Sequence, residues 1–160
     1  MVGVRRVKWD IVTSALEGSG TDAHVRVEIW RDDERLADAV VEPGGSPALD
    51  TGTAQRFGWT FRPPAGRAPE LGPDGSPTPH TEPFPHGVRG HLAFTFRIYG
   101  TDLWRFERID VTVITGAWAL GPTGWMWVES EEVFPFAAPN GVALSTDGDQ
   151  AAHHAVTLRV

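Results

Sequence analysis

A glycine-rich turn with several oxygen donors follows the first alternating segment of the chain, in the sequence GSGTDAHVRVEI at residues 18–29. Ca²⁺ takes about six to eight oxygen ligands, mostly from carboxylates and backbone carbonyls. Gly18 and Gly20 can bring carbonyls close together, because glycine tolerates positive φ. Glu17 and Asp22 supply carboxylates, and Thr21 supplies a hydroxyl. The same residue types also cap turns by bonding to their own backbone, so the segment is either a calcium site or a capped turn.

Histidines and a carboxylate cluster in PHTEPFPHGVRGH, at residues 79–91. A histidine with a carboxylate can act as general acid and base, and three histidines can hold zinc. The spacing of His80, His86 and His91 matches no zinc signature, however, and solvated loop histidines are the commoner case. An enzymatic hypothesis, kept as the alternative, places His91 and Asp110 at the mouth of an aromatic-lined cavity.

Apolar residues in GAWALGPTG, at residues 116–124, predict a loop tip that contacts a lipid surface, a ligand or a protein. Trp118 and Leu120 are its largest side chains. The competing interpretation is that the tip folds back and caps one end of the fold. Trp30 lies out of phase with the alternating residues 25–29, so we expect it to face the other side of its strand. Trp30, Trp118 and Leu120 are therefore the candidate contact residues.

Alternation of apolar and polar residues with a period of two dominates the chain and predicts β-strands. No segment shows a helical period. The alternating apolar sets include Val7-Trp9-Ile11, Val25-Val27-Ile29, Phe57-Trp59-Phe61, Leu92-Phe94-Phe96-Ile98 and Val156-Leu158-Val160. About eight short strands joined by polar turns predict an all-β fold, an antiparallel β-sandwich.

The apolar phase changes within LWRFERIDVTVIT, at residues 103–115. Trp104 and Phe106 occupy even positions, whereas the apolar residues from Ile109 onward occupy odd positions. A β-bulge, or the start of a new strand, near Glu107-Arg108 accounts for the change.

Residues 63–90 differ from the rest of the chain, because they contain eight of its thirteen prolines. Proline removes backbone donors, so this segment cannot be a central strand. We interpret it as a long Pro/Gly-rich loop or insertion within a single domain that spans residues 1–160.

Composition excludes several classes of function. The chain has 160 residues and no cysteine, which rules out disulfides and thiolate chemistry. A net charge of -7 argues against nucleic-acid binding, which needs a basic face. The N-terminal sequence MVGVRRVKWDIV contains no apolar run, so we expect neither a signal peptide nor a transmembrane segment, and we assign the chain to the cytoplasm.

Two stretches resemble the PLAT (lipoxygenase-homology) domain family. The first is the turn Gly20-Thr21-Asp22-Ala23 with the alternating strand after it. The second is FTFRIYGTDLWRFERIDVTVI with GPTGWMWVESEEV, which is similar to the family's Phe-x-Phe strand and its Pro-Gly-Trp strand. The likeness covers about residues 5–58 and 91–134. The loop TGAWALGPTGW departs from the family pattern, because it lacks the acidic residue often found there.

The resemblance implies an eight-stranded antiparallel sandwich that binds lipid surfaces or protein partners. Some members of the family use calcium, and the resemblance implies Asp22 as the calcium ligand in this chain. The preferred hypothesis is thus a non-catalytic PLAT-like binding module whose end loops contact a protein partner, a lipid surface or a hydrophobic ligand. Its only candidate cofactor is Ca²⁺. One alternative is a small cyclase or isomerase of an apolar metabolite. The other is a structural subunit of a larger assembly, with residues 63–90 as a docking arm.

Overall fold

The computed structural model describes residues 3–17, 19–21, 24–43, 49–61, 88, 90–99, 103–145 and 155–160. These residues form eight strands: β1 (Gly3–Thr13), β2 (His24–Arg31), β3 (Glu34–Pro43), β4 (Ala54–Thr60), β5 (Leu92–Tyr99), β6 (Leu103–Gly121), β7 (Gly124–Ser145) and β8 (Ala155–Arg159).

The strands form two four-stranded sheets, sheet I in the order β4-β1-β6-β7 and sheet II in the order β3-β2-β5-β8. Every strand pair is antiparallel. The predicted all-β antiparallel sandwich is therefore confirmed. Within the described part of the chain, no helix has the length and apolar character needed to cross a membrane.

The period-two alternation places one face of each inner strand in the core. In β1, Val7, Trp9 and Ile11 are buried while their neighbours are partly exposed. The apolar residues of β2 and β5 are buried in the same way, and both sets join one core cluster. A shift of one residue would expose each of these sets, so burial fixes the register.

Large aromatic rings from both sheets meet at the centre of the core. The Trp9 ring of sheet I packs edge-on against Phe94 and Phe96 of sheet II, with centroids 5.4 and 6.2 Å apart. Trp104 of sheet I packs on Phe96 at 6.5 Å and on its neighbour Phe106 at 5.4 Å. Edge-on aromatic pairs add about 0.5–1.5 kcal/mol beyond the area they bury, so these contacts tie the two sheets together.

The predicted irregularity near Glu107-Arg108 is confirmed as a bulge. Along β1, Val12 pairs with Arg108 and Thr13 pairs with Phe106, which leaves Glu107 without an opposite residue. The β6–β7 pairing shifts at the same place. The extra residue changes the phase of β6, so the aromatic residues before it and the aliphatic residues after it share the buried face.

The prediction of a loop at residues 116–124 is wrong. β6 continues to Gly121 and pairs with β7 up to Gly124, through a two-residue turn at Pro122 and Thr123. Gly124 has a φ of 122°, a value that favours glycine. The small residues and the proline suggested a loop, but pairing with the strand-forming residues of β7 outweighs that propensity. β1 pairs with β6 only as far as Gly116, so residues 117–128 form a two-stranded extension, here called the arm.

Most of the Pro-rich segment lies outside the described residues, including 63–87 and Arg89. Val88 is described and buried. Its N–H donates to the Val4 carbonyl and its carbonyl accepts from the Val4 N–H, each at 2.9 Å. The chain therefore returns to the β4 side of β1 at this position.

Replacing each of the two buried tryptophans by phenylalanine separates hydrogen bonding from packing. The Trp104 Nε1–H donates to Thr13 Oγ1 at 3.2 Å, whereas the buried Trp9 Nε1 has no partner among the described residues. Trp104→Phe loses a hydrogen bond, while Trp9→Phe removes an unsatisfied donor. We therefore expect Trp104→Phe to lower the free energy of unfolding by about 1–2 kcal/mol more than Trp9→Phe does. Urea denaturation measures both values, and an equal or larger loss for Trp9→Phe would contradict the assignment.

Candidate functional site

The glycine at position 20 is required by close packing. The Gly20 N–H donates to Thr51 Oγ1 at 3.0 Å. A Cβ at this position would lie 2.4 Å from the Thr51 nitrogen and 2.7 Å from the Asp50 Cα. Both are backbone atoms, which cannot move aside without shifting the chain. The need for glycine here is therefore explained by the approach of residues 50–51.

The backbone on either side of Gly20 also bonds to the body of the fold. The Ser19 carbonyl accepts from the Arg105 N–H at 2.9 Å, and the Thr21 N–H donates to the Leu49 carbonyl at 3.1 Å. Ser19 and Thr21 are both buried. These hydrogen bonds thus hold residues 19–21 of the turn against β6 and against residues 49–51.

The proposed calcium ligands are only partly within the described residues. Gly18 and Asp22 lie outside them, and the Glu17 side chain is exposed. Among the described residues, no three His, Cys, Asp or Glu side chains come together as a metal site would require. Calcium binding at this turn stays a prediction.

His91 lies immediately before β5, beside the turn that joins β2 to β3. Its carbonyl accepts from the Asp32 N–H at 2.9 Å, and its N–H donates to Asp32 Oδ1 at 3.4 Å. The residue is exposed and lines a shallow cavity of about 430 Å³ with Asp33 and Arg159. His80, Glu82 and His86 lie outside the described residues.

Asp110 lies on sheet I, opposite Asp10 of β1. Each carboxylate has its own arginine. Arg108 bonds Asp110 Oδ2 at 2.9 Å, and Arg56 bonds both oxygens of Asp10 at 2.6 and 3.0 Å. The hydrogen bond to Asp10, followed by its charge, raises the pKa of Arg56 above its ordinary value. The arginines offset the repulsion expected of two opposed carboxylates.

The structure does not bring together the two residues of the enzymatic hypothesis. His91 immediately precedes β5, an inner strand of sheet II, and bonds to Asp32, whereas Asp110 belongs to the arginine-paired carboxylates of sheet I. General acid–base catalysis requires both groups within hydrogen-bonding reach of one substrate.

The arm carries the most exposed large apolar residue among those described. Leu120 is 72% exposed, and Met126 and Val128 on the paired strand are about half exposed. The backbone register places Trp118 opposite Trp127, and Leu120 opposite Trp125. The backbone of Trp118 belongs to β6, but its side chain is outside the described part of the structure. Three tryptophans and a leucine thus occupy paired positions beyond the edge of the sandwich.

Trp30 does not belong to this surface. It lies on β2 of sheet II, where its ring is half-buried and its Nε1–H donates to Glu28 Oε2 at 3.3 Å. Glu28 also faces Arg97 at 3.4 Å and Arg35 at 3.7 Å. Trp30 is therefore part of a polar network on the outer face of sheet II.

Ion pairs between β1 and β7 fix the base of the arm. Arg5 pairs with Glu129, Arg6 lies 3.6 Å from the other oxygen of Glu129, and Lys8 lies 3.1 Å from Glu131. β6 runs between the two strands, so each pair crosses over it. This arrangement was not predicted, although basic residues in β1 and acidic residues in β7 recur two positions apart.

Comparison with known proteins adds no assignment. No protein-family model matches the chain, and no curated protein matches its sequence. The PLAT resemblance accordingly remains a prediction that rests on the sequence motifs.

Gly20→Ala tests whether this turn is shaped by packing or by an ion. The added Cβ overlaps backbone atoms, so we expect a loss of about 1–3 kcal/mol in the free energy of unfolding, as for other overpacked sites. If packing alone shapes the turn, the loss is the same in calcium and in a chelator. Gly58→Ala is the matched control, because a Cβ there meets only the Val7 carbonyl oxygen, at an ordinary 3.4 Å. If calcium instead stabilises the native chain and Gly20→Ala abolishes that effect, the turn is an ion site.

Proposed function

We propose that the chain is a non-catalytic, PLAT-like binding module that contacts a protein partner through the arm. The exposure of Leu120 on a two-stranded extension is the observation that carries this proposal. Burying a leucine side chain contributes about 1.5–3 kcal/mol. A partner surface that covers Leu120 on binding would therefore gain this free energy, which the free chain leaves unused.

Charge favours a protein partner over an anionic lipid surface. The chain carries a net charge of -7, and the acidic residues Glu129, Glu131 and Glu132 follow the apolar part of β7 directly. Arg5, Arg6 and Lys8 neutralise the first two, while Glu132 has no ion pair among the described residues. Anionic headgroups would be repelled by the net charge of the chain as a whole, whereas the locally balanced charges beside the arm do not oppose contact with a protein surface.

Contact through the arm needs neither a metal nor a catalytic pair. Calcium at the residue 18–22 turn and a cytoplasmic location belong to the same proposal, and they rest on the PLAT resemblance and on the composition. In this proposal the arm alone accounts for binding, because β6 and β7 together provide its apolar surface.

A photo-crosslinking amino acid at position 120 tests the proposal in the cells that express the protein. Position 40 is the matched control, because Val40 is also an exposed apolar residue in a strand, but lies on β3 of sheet II. We expect position 120 to capture a discrete partner that position 40 does not. With the purified pair, Leu120→Ser should raise the dissociation constant about tenfold or more, because the buried leucine contact is lost. A tenfold change corresponds to about 1.4 kcal/mol of binding free energy.

Two results would overturn this assignment. One is crosslinking of the same species at positions 40 and 120, or an unchanged affinity for Leu120→Ser. The other is co-flotation with phosphatidylcholine–phosphatidylserine vesicles that Leu120→Ser abolishes and Val40→Ser leaves intact, which would make the arm a lipid contact.

A further inference from the structure

The outer edge of β7 is the free edge of sheet I, because no described strand lies beyond it. Backbone groups along an antiparallel strand point alternately to one side and to the other. In a two-residue hairpin the residues that flank the turn bond to each other. Counting from Gly124, the even-numbered residues of the arm direct their N–H and C=O groups to β6. The backbone groups of Trp125 and Trp127 therefore point outward, away from β6.

The position of Pro135 agrees with this count. The pairing of β7 with β6 runs without a register shift from Gly124 to Ala137, so Pro135 also has an outward position. Proline has no N–H, and within a sheet it is confined to edge strands at positions where that N–H would face outward. The same alternation therefore holds from the arm to the middle of β7.

Below the arm, the edge of β7 carries residues that discourage pairing with another strand. Natural sheets protect exposed edges with charged residues and proline. Residues 129–135 contain both kinds, namely Glu129, Glu131, Glu132 and Pro135. The other edge strands also carry charge, which includes Asp38 of β3, Arg56 of β4 and Arg159 of β8. Addition of a further strand is thus disfavoured along these edges.

The part of β7 within the arm lacks this protection. Residues 124–128, here called the open edge, have the sequence GWMWV and contain neither a charged residue nor a proline. Tryptophan and valine favour strands. The side chains of Met126 and Val128 are about half exposed. The open edge therefore combines outward backbone groups with an uncharged, exposed surface, which is what an added strand uses for pairing.

We propose that the partner contributes an extended, uncharged segment of about five residues, which pairs with the open edge as an additional strand of sheet I. Backbone hydrogen bonds to Trp125 and Trp127 hold the segment, and the protected residues from Glu129 onward limit its length. The net charge of -7 opposes close contact between two copies, so the segment belongs to another protein. This mode of binding rests on the function proposed for the arm.

Short random peptides displayed on phage, panned against the full chain, are the probe for strand addition. We expect the enriched peptides to lack proline and acidic residues and to be rich in β-branched and aromatic residues. Replacing Trp127 by its α-hydroxy analogue, indole-3-lactic acid, in cell-free translation turns the outward N–H into an ester oxygen and keeps the side chain. The dissociation constant of a synthetic enriched peptide should then rise about fivefold, as expected for the loss of one hydrogen bond.

The α-hydroxy analogue of valine at position 133 is the matched control. The N–H of Val133 also points outward, but it lies in the protected part of the edge, so this ester should leave the affinity unchanged. Neither ester removes an N–H that bonds to β6, and both chains should therefore unfold at the same temperature.

Strand addition is refuted if no peptide is enriched, or if the ester at position 127 binds the peptide as tightly as the native chain does. Loss of peptide binding in Leu120→Ser, with the ester at position 127 without effect, would keep contact through the arm and reject only this mode of binding. Light scattering that shows a dimer of the native chain and a monomer of the ester at position 127 would assign the open edge to a second copy. Failure of the function proposed for the arm is seen separately, as the absence of specific crosslinking at position 120.

Discussion

The bulge at Glu107 is the constraint on which the packing of sheet I depends. Side chains alternate strictly along a strand, so an uninterrupted β6 would bury either Trp104 and Phe106 or the aliphatic residues that begin at Ile109, but not both. One unpaired residue places both sets in the core. Because β6 lies between β1 and β7, the bulge also determines which residues of β6 face the core along the stretch that pairs with β7.

The outer faces of the two sheets are organised by charge. Cross-strand pairs link Arg56 with Asp10 on sheet I and Arg26 with Asp38 on sheet II. Exposed ion pairs contribute little to stability, about 0–1 kcal/mol each, but they mark these faces as solvent-facing and oppose slips in register. The acidic residues along β7 have a further effect, because charge on an outer strand discourages pairing between copies. The arm beyond Gly116 is the exception, because residues 117–128 carry no charged side chain.

The sequence predicted those parts of the fold that follow from the alternation of apolar and polar residues along one strand. Alternation identified the strands and the buried face of β1, and the change of phase located the bulge. The same reasoning failed for the arm, because its Gly and Pro residues suggested a loop and the pairing that overrides them comes from β7. The close approach at Gly20 and the separation of His91 from Asp110 depend on which strands become neighbours. Neighbour relations of this kind are set by contacts between distant residues, which no short motif records.

The position of β1 has a consequence for synthesis on the ribosome. Among the eight described strands this one is made before the others, yet one of its two partners in sheet I is β6, with Val7 paired to Val113. The β2–β3 hairpin can close as soon as it emerges, whereas Val7, Trp9 and Ile11 remain uncovered until most of the chain has been translated. Until β6 emerges, the nascent chain therefore presents an apolar strand of the kind that makes partly folded chains prone to aggregation.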